Sequence, residues 1–580
     1  MVPNTLKENT ILSEFSEEQQ DMYFGFSRDK SLHHIDTLYY AVFLNEPDDV
    51  VKLQKEDRLP ENLKRLLQTL RDIKAEIKSS PGKEIDVGAL KATSKAFVLY
   101  EFCVGLDECF DIFIASSLPN DETPRVVVQL RSRYLVLEGV KNAVEQSFAY
   151  LKEFLGPFGL FPLKVRENRI DYAFHTNLIQ NPYKEFRDEK LKKHLKTNLK
   201  IYQKIGKIGE DISVDTFNLG NRRSNNVYFR AYNKSREVIE MNYKAFFIKR
   251  WRENGLISEF DEYVYNVAYN LRSYRTGCLV GRLKWYLEFG TNDKLKEECQ
   301  DLLNKCFVKS DNAAQIEKKI KGVIPEPTLI FNVEFQTKRK FYVTCADFFD
   351  YFVELEELEV AKHLVQLPLP DAEPGSIYAG GYDPLLKELY LILANARAIV
   401  DYLTDYSGCV AFARDNTLSK KQFLEQDAIL KKKKKSAYKD WWRRIRGTPI
   451  DYSSDAILEV YRKYDIGANI SKSQRLFYGQ AARLSMLKNN SIEPRSFVED
   501  MSDALCTLND NDIVRFVPNY EFFCNEEGEF LGFDKFDPKG YEEIRTRKAR
   551  QLRGIIKQNE KQKENESVPD TDNREKEDKI

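Results

Sequence analysis

Three well-separated segments of the chain, at residues 168–177, 226–235 and 329–338, alternate apolar and polar residues with the period of a β-strand. Because successive side chains of a strand point to opposite faces, each segment has an apolar back and a polar front. Such strands need one face covered, so we expect a sheet whose apolar face packs against helices. The polar fronts carry Arg169, Asp171 and His175; Tyr228, Arg230, Tyr232 and Lys234; and Asn332, Glu334, Gln336 and Lys338.

The remaining sequence supplies helices and further strands. We predict an α+β fold with an antiparallel-rich central sheet, helices on its apolar face, an inserted helical lobe and a mostly helical C-terminal region. Outside the three segments, the patterns predict a first strand at 35–44, helices at 59–77 and 140–155, and a hairpin of 111–116 with 125–139.

Changes in composition predict the domain organisation. The interval between the second and third segments is long, helical and aromatic, and a proline-rich stretch precedes the C-terminal region. The end of the chain is dense in charged and amide residues and almost free of aromatic ones. We expect a polar leader at 1–30, a main domain at 31–370 with a helical insertion at about 237–319, a partly basic accessory domain at 371–543, and a charged, disordered tail at 544–580.

Composition narrows the class of protein. Lys plus Arg (90) balances Asp plus Glu (91), so only local charge can reveal a nucleic-acid partner. The first residues lack the basic and apolar segments of a signal peptide, and no apolar run is long enough for a membrane span, so we expect a cytoplasmic location without membrane contact. Nine cysteines without a CxxC pair indicate a reducing compartment, and with only five histidines a conventional Cys/His zinc site is excluded.

If the three strands belong to one sheet, their polar fronts assemble carboxylates, a histidine, tyrosines and cations. Ordinary half-buried strands with solvated fronts are the alternative.

This set of carboxylates, tyrosines and cations suits phosphodiester transesterification by Tyr232. A free phenol has a pKa near 10, so roughly one molecule in a thousand is phenolate at neutral pH. Arg230 and Lys234, two residues away on either side, would stabilise the anion. Asp171 and Glu334, joined by His175, would hold Mg²⁺ or Mn²⁺.

At these residues the sequence resembles the replication initiation factor family, which comprises initiators of rolling-circle plasmids and relaxases of integrative conjugative elements. RIDYAFH resembles the family's strand that carries Arg169 and Asp171, and NVEFQTKRK resembles the strand that carries Glu334. GNRRS followed by FRAYNK is similar to the family's turn and nucleophile strand, which assigns the nucleophile to Tyr232. His175 stands where the family has a second acidic residue.

The resemblance implies a metal-dependent, site-specific nick in origin DNA that joins Tyr232 to the 5′ phosphate and leaves a 3′-hydroxyl primer. The implied partners are double-stranded origin DNA with a nickable single-stranded region, a host helicase and polymerase, and a second copy in a homodimer. A relaxase of a conjugative element is one alternative. A non-catalytic DNA-binding regulator that keeps the fold is another.

Basic residues near the strands and in a C-terminal segment are candidates for DNA contact. Residues 431–446 hold nine basic residues and one acidic residue together with Trp441 and Trp442, which could stack on unpaired bases or anchor the segment to the core. Tyr228 is a second possible nucleophile or a packing residue, and His33 and His34 are expected at the surface. The predicted DNA-binding residues are Arg169, Arg222, Arg223, Lys338, Arg443 and Arg444.

Overall fold

The computed structural model describes most of the N-terminal four-fifths of the chain. The tail expected at 544–580, the expected boundary near residue 370 and most of the accessory domain expected at 371–543 lie outside the described residues. The described residues are 10–27, 30–79, 84–197, 199–208, 211–241, 244–306, 312–344 and 383–452.

Within these residues, eleven strands form one sheet in the order β2-β3-β4-β5-β6-β1-β7-β12-β11-β10-β9, and every neighbouring pair is antiparallel. The predicted α+β class with an antiparallel central sheet is confirmed. The strands are β1 (Ser31–Leu44), β2 (Ile85–Val87), β3 (Leu90–Thr93), β4 (Tyr100–Leu106), β5 (Phe110–Ala115), β6 (Val126–Arg131), β7 (Pro162–Thr176), β8 (Leu195–Thr197), β9 (Ile201–Ile208), β10 (Asp211–Leu219), β11 (Val227–Asn233), β12 (Phe331–Lys338) and β13 (Val410–Phe412), of which β8 and β13 pair separately.

Helices connect and cover these strands. None of the helices in the described part of the chain is long and apolar enough to cross a membrane. The α-helices are α1 (Glu17–Phe24), α2 (Val50–Lys55), α3 (Glu61–Ser79), α4 (Ser132–Leu137), α5 (Val140–Leu155), α6 (Pro182–Phe186), α7 (Asp188–His194), α8 (Lys234–Arg236), α9 (Phe246–Glu253), α10 (Glu259–Asn270), α11 (Tyr274–Phe289), α12 (Asp293–Cys306), α13 (Asn312–Ile320), α14 (Arg339–Val343), α15 (Lys387–Ala394), α16 (Ala396–Thr404), α17 (Lys420–Lys432) and α18 (Asp440–Arg446).

The apolar back of the sheet forms the larger hydrophobic core. Helices α3 and α5 have apolar residues at helical spacing, and they bury these residues in the same core as the backs of the central strands. Residues 383–452 pack there as well. The indole of Trp442 on α18 lies 6.2 Å from the ring of Phe229 and 6.3 Å from that of Phe335, between ring centroids. The C-terminal helical segment is thus anchored to the sheet by aromatic contacts.

A second core belongs to the helices between β11 and β12. Trp285 of α11 is its centre and contacts Phe15, Phe24 and Phe260 at ring distances of 5.7, 5.2 and 5.1 Å. Helices α10 and α11 cross closely, since a Cβ at Gly277 would lie 2.5 Å from the backbone of Ala268. We call these helices, with residues 10–27, the helical lobe.

Two local predictions differ from the structure. Residues 132–137, expected to continue a strand, form α4, because β6 ends at Arg131 and apolar side chains of the helix are buried. Residues 10–27, expected within a polar leader, contribute Ile11, Leu12 and Phe24 to the core of the helical lobe. The apolar residues of this segment are few and lie among charged residues, so its overall composition predicted a polar leader.

Candidate active site

The order of strands brings the three predicted polar fronts together. Strand β12 lies between β7 and β11, so Glu334 is paired with Arg230 on one side and with Ala173 on the other. One pair further along, Asn332 lies between Tyr232 and His175. These strands share one polar face, defined by Arg169, Asp171, His175, Tyr228, Arg230, Tyr232, Asn332, Glu334 and Gln336.

Tyr232 is buried in the middle of this face, with 8% of its surface exposed. Its hydroxyl accepts hydrogen bonds from Nδ2 of Asn332 at 2.9 Å and from Nζ of Lys234 at 3.3 Å, and donates to Oε2 of Glu334 at 3.4 Å. Burial raises the pKa of the phenol, and the neighbouring Lys234 ammonium opposes that shift. The hydroxyl therefore needs both a base and a cation before it can act as a nucleophile.

Arg230 and Glu334 form a bidentate ion pair beside this hydroxyl. Nε and Nη2 of Arg230 each donate to one oxygen of Glu334 at 2.9 Å. The guanidinium also lies over the ring of Tyr232, 4.7 Å from its centroid. Glu334 is almost fully buried, whereas 28% of the Arg230 side chain is exposed. Arg230 is thus the member of the group that solvent or a ligand reaches first.

Lys234 lies on the buried side of Tyr232 and is completely enclosed. Its ammonium contacts Oε2 of Glu237 at 2.6 Å and Oδ1 of Asp36 at 3.6 Å. Burial alone would lower the pKa of this ammonium, but the carboxylates of Asp36 and Glu237 raise it well above its usual value. The lysine is therefore a fixed positive charge next to the phenolic oxygen.

Asp171 is bound by Arg169 on the same strand. Nε of Arg169 donates to Oδ1 of Asp171 at 2.8 Å, and Nη2 donates to Oδ2. Burial raises the pKa of Asp171 to about 6, against the opposing effect of Arg169. Arg169 also lies over the ring of Tyr39, 5.2 Å from its centroid. Both oxygens of Asp171 are therefore engaged within the protein.

His175 lies at the opposite end of β7, under the helical lobe. Its Nδ1 accepts a hydrogen bond of 3.0 Å from the indole of Trp251, and its ring lies 4.2 Å from that of His34 between centroids. Nε2 of His175 and Nε2 of His34 are buried and have no hydrogen-bond partner among the described residues, and Nε2 of His34 lies 3.8 Å from Oδ1 of Asp36. Burial lowers the pKa of both imidazoles, so both are neutral near pH 7.

The predicted metal ligands Asp171, Glu334 and His175 do not form one site. Asp171 and His175 are separated by roughly 13 Å along the strand at 3.3 Å per residue, and guanidinium groups occupy both carboxylates. Among the residues that the structure describes, no group of three His, Cys, Asp or Glu side chains has the geometry to hold a metal ion. These residues do not fit Mg²⁺ or Mn²⁺ as arranged here, because such cations need several free oxygen ligands.

Two of the predicted DNA contacts lie in the turn that precedes β11. Gly220, with a φ of 82°, begins a tight turn in which the Asn221 side chain accepts from the backbone N–H of Arg223 at 2.8 Å. Arg222 and Arg223 are exposed at its tip. Nζ of Lys338 donates to the carbonyl oxygens of both arginines, at 2.6 and 3.1 Å. Lys338 thus ties this basic turn to the polar face.

The basic C-terminal segment lies elsewhere. Trp441 and Trp442 are buried, and the Trp442 indole donates to the carbonyl of Thr404 at 3.1 Å. These contacts fit the interpretation that the pair anchors the segment to the core. Arg443 and Arg444 are exposed on α18, which packs on the apolar back of the sheet. They are not brought together with Tyr232.

Three polar residues near Tyr232 were not predicted for the site. His34, expected at the surface, is buried with Asp36, and Glu237 comes from the first turn after β11. His34 comes just before the predicted first strand and Asp36 lies within it, so the sequence shows both polar residues but not their burial. A register shift between Ile35 and Thr37 then leaves Asp36 unpaired in a bulge.

Comparisons with known proteins add little to this geometry. Neither a scan of protein-family models nor a search of curated proteins finds a match. Among solved structures, the chain is similar to a rolling circle replication initiator protein from Geobacillus stearothermophilus, at 10% sequence identity and a TM-score of 0.30, over 73% of this chain and 100% of that chain. A TM-score of this size supports no argument about activity.

Proposed function

We propose that this protein initiates rolling-circle replication by nicking one strand of origin DNA with Tyr232. The observation that carries the proposal is the environment of one hydroxyl. The phenol contacts a carboxylate that can accept its proton, Glu334, and an ammonium that can stabilise its anion, Lys234. The sequence motifs around Asp171, Tyr232 and Glu334, taken in order, support the same chemistry.

In the proposed reaction the proton of the Tyr232 hydroxyl passes to Glu334 as the phenolic oxygen attacks the scissile phosphorus. A phosphotyrosine bond forms on the 5′ side, and the bond between phosphorus and the 3′ oxygen breaks. The leaving 3′ oxygen takes a proton, which the protonated Glu334 can return. A base within hydrogen-bond reach and a fixed cation are the two requirements for a tyrosine nucleophile.

Arg230 has a second role in this proposal. It is the exposed partner of a bidentate pair, and its planar fork suits a phosphate as well as a carboxylate. When the scissile phosphate enters, the guanidinium would turn from Glu334 to the phosphate oxygens. That exchange frees Glu334 to take the phenolic proton and uncovers the ring of Tyr232, so substrate entry activates the base.

Because the phosphodiester energy is retained in the phosphotyrosine bond, a later attack by a 3′ hydroxyl can rejoin the strand without ATP. A relaxase of a conjugative element would use the same chemistry. It would differ from a replication initiator in what happens to the freed strand. Recruitment of a helicase and polymerase and homodimer formation remain expectations from the family resemblance.

A non-catalytic DNA-binding regulator is the second candidate, and the burial of the Tyr232 hydroxyl favours it.

To separate the nicking enzyme from the regulator, wild type and Tyr232→Phe are incubated with supercoiled plasmids carrying fragments of the replicon that encodes the protein. Nicking predicts open circles with covalently attached protein for wild type alone. Equal results for both proteins would contradict the role of Tyr232, and DNA binding without cleavage by either would support the regulator. Tyr228→Phe is the matched control, because Tyr228 lies on the same face and strand.

A further inference from the structure

Cleavage of a phosphodiester by a phenol places negative charge on the phenolic oxygen and the phosphate, and a cation must stabilise it. The residues expected to hold a divalent metal are engaged elsewhere. Arg169 holds both oxygens of Asp171, and Arg230 holds both oxygens of Glu334. The cation at the nucleophile in this structure is the ammonium of Lys234, 3.3 Å from the phenolic oxygen.

The surroundings of Lys234 fix this ammonium in place. Glu237 contacts it from the segment that follows β11, and Asp36 contacts it from the bulge of β1. The ring of Phe247 on α9 lies below it, with Nζ 5.0 Å from the centroid. Strand β1, the segment that follows β11 and the helical lobe thus each contribute one residue that encloses this positive charge. Lys244 lies 3.8 Å from Oδ1 of Asp36, so that carboxylate bridges two ammonium groups.

A charge held in this way needs no reorganisation when the phenolate forms, which is the property that makes a bound metal ion effective. The neighbouring imidazoles of His34 and His175 are neutral and add no competing charge. Asp36 and Glu237 act as positioning residues, because they act on the phenol through the ammonium that they contact.

We propose that the Lys234 ammonium, held by Asp36 and Glu237, takes the place of a divalent metal ion at Tyr232, so that this site cleaves DNA without divalent cations. The proposal rests on the proposed nicking function. It identifies a fixed internal cation where a metal-dependent reaction was expected from the sequence.

The test measures the rate of covalent adduct formation on nickable DNA in EDTA and in Mn²⁺. We expect wild type to react at the same rate in both. Lys234→Ala should react about 10²- to 10³-fold more slowly, as when one preorganised donor is removed. Propylammonium added to Lys234→Ala should restore part of the rate and raise its melting temperature, because it fills the space that the side chain leaves. Lys152→Ala, which removes an ammonium paired with Asp383, is the control and should not respond to the amine.

Each outcome separates this proposal from the proposed function. Cleavage by wild type only in Mn²⁺ would leave nicking intact and overturn the internal cation. A Lys234→Ala protein that melts like wild type, cleaves at the wild-type rate and ignores the amine would also overturn it. Absence of cleavage in every buffer would contradict the nicking function, and the internal cation with it. If Lys234→Ala does not fold, Lys234→Met with Asp36→Asn removes the ammonium together with one of the two carboxylates that hold it.

Discussion

The hydroxyl of Tyr232 donates a hydrogen bond of 3.4 Å to Oε2 of Glu334, a carboxylate that Arg230 already holds through both oxygens. The phenol and the guanidinium therefore compete for one acceptor. While Arg230 remains in place, it engages both oxygens of Glu334, the carboxylate that is to accept the phenolic proton. A phosphate that attracts Arg230 would free this acceptor at the moment when it is needed.

Glu334→Gln tests the carboxylate as the base. The amide keeps the shape of the side chain but cannot accept the phenolic proton, so we expect adduct formation to fall by about 10²- to 10⁴-fold. DNA affinity should change little, because Glu334 is buried. Single-turnover cleavage and filter binding measure the two quantities. Glu101→Gln, at an exposed position of β4, is the control, and retention of cleavage in Glu334→Gln would exclude this carboxylate as the base.

Replacing Arg222 and Arg223 together with alanine tests the basic turn as a contact to the DNA backbone. Each lost phosphate contact should weaken binding to all sequences alike and reduce the slope of log affinity against log salt by about 1. Fluorescence anisotropy at several salt concentrations measures both. The same change at Arg443, on the opposite side of the sheet, should leave affinity unchanged. An equal loss at Arg443 would place DNA on the back of the sheet.

Trp442→Ala tests whether the Trp442 indole anchors residues 431–446 to the core or stacks on unpaired bases. Only anchoring predicts a large loss of stability. The indole is fully buried against Phe229 and Phe335, so its removal should lower the free energy of unfolding by about 3–5 kcal/mol. Urea denaturation measures this loss, and Trp442→Phe should recover part of it. Folded Trp442→Ala should bind single-stranded DNA as wild type does. Weaker binding at unchanged stability would favour stacking on bases.

The sequence contains enough information to predict which residues of the central strands share a face. Alternation placed Asp171, Arg230, Tyr232 and Glu334 on polar fronts, and the structure puts all four on one surface. Alternation does not specify which strands are neighbours or in which register they pair. That Arg230 binds Glu334 across β11 and β12 depends on this pairing, whereas Arg169 binds Asp171 from the same strand. These contacts engage both carboxylates that were expected to hold a metal ion.

The missed residues needed information that is not local. Asp36 faces Lys234 only because a bulge shifts the register of β1, and a bulge has no distinct pattern in the motif His-His-Ile-Asp. His34 is buried because Phe247 of the helical lobe covers it, at a ring distance of 5.4 Å. The helical lobe is inserted more than 200 residues later in the chain, so the sequence around the first strand does not show that this lobe covers it.

Glu167→Gln tests whether a buried carboxyl group, located between the sheet and the C-terminal helices, is protonated in the folded protein. Nη1 of Arg339 donates to both oxygens of Glu167, at 3.1 and 2.9 Å, and also to Oε2 of Glu388 at 3.0 Å. Burial raises the pKa of Glu167 from 4.5 to about 8, Arg339 opposes the shift, and Glu388 adds to it. In the folded protein this side chain therefore keeps its proton at neutral pH.

The sign of the pH dependence follows from that proton. Between the unfolded pKa near 4.5 and the folded pKa near 8, the folded state binds a proton that the unfolded state has lost. The contribution of Glu167 to stability is therefore present at low pH and declines as pH rises through this window, by up to about 1.4 kcal/mol per pH unit. Glutamine cannot ionise, so Glu167→Gln should gain stability relative to wild type as pH rises from 5 to 8. Urea denaturation across this range measures the difference, and parallel curves for the two proteins would show that Glu167 is ionised in the folded state.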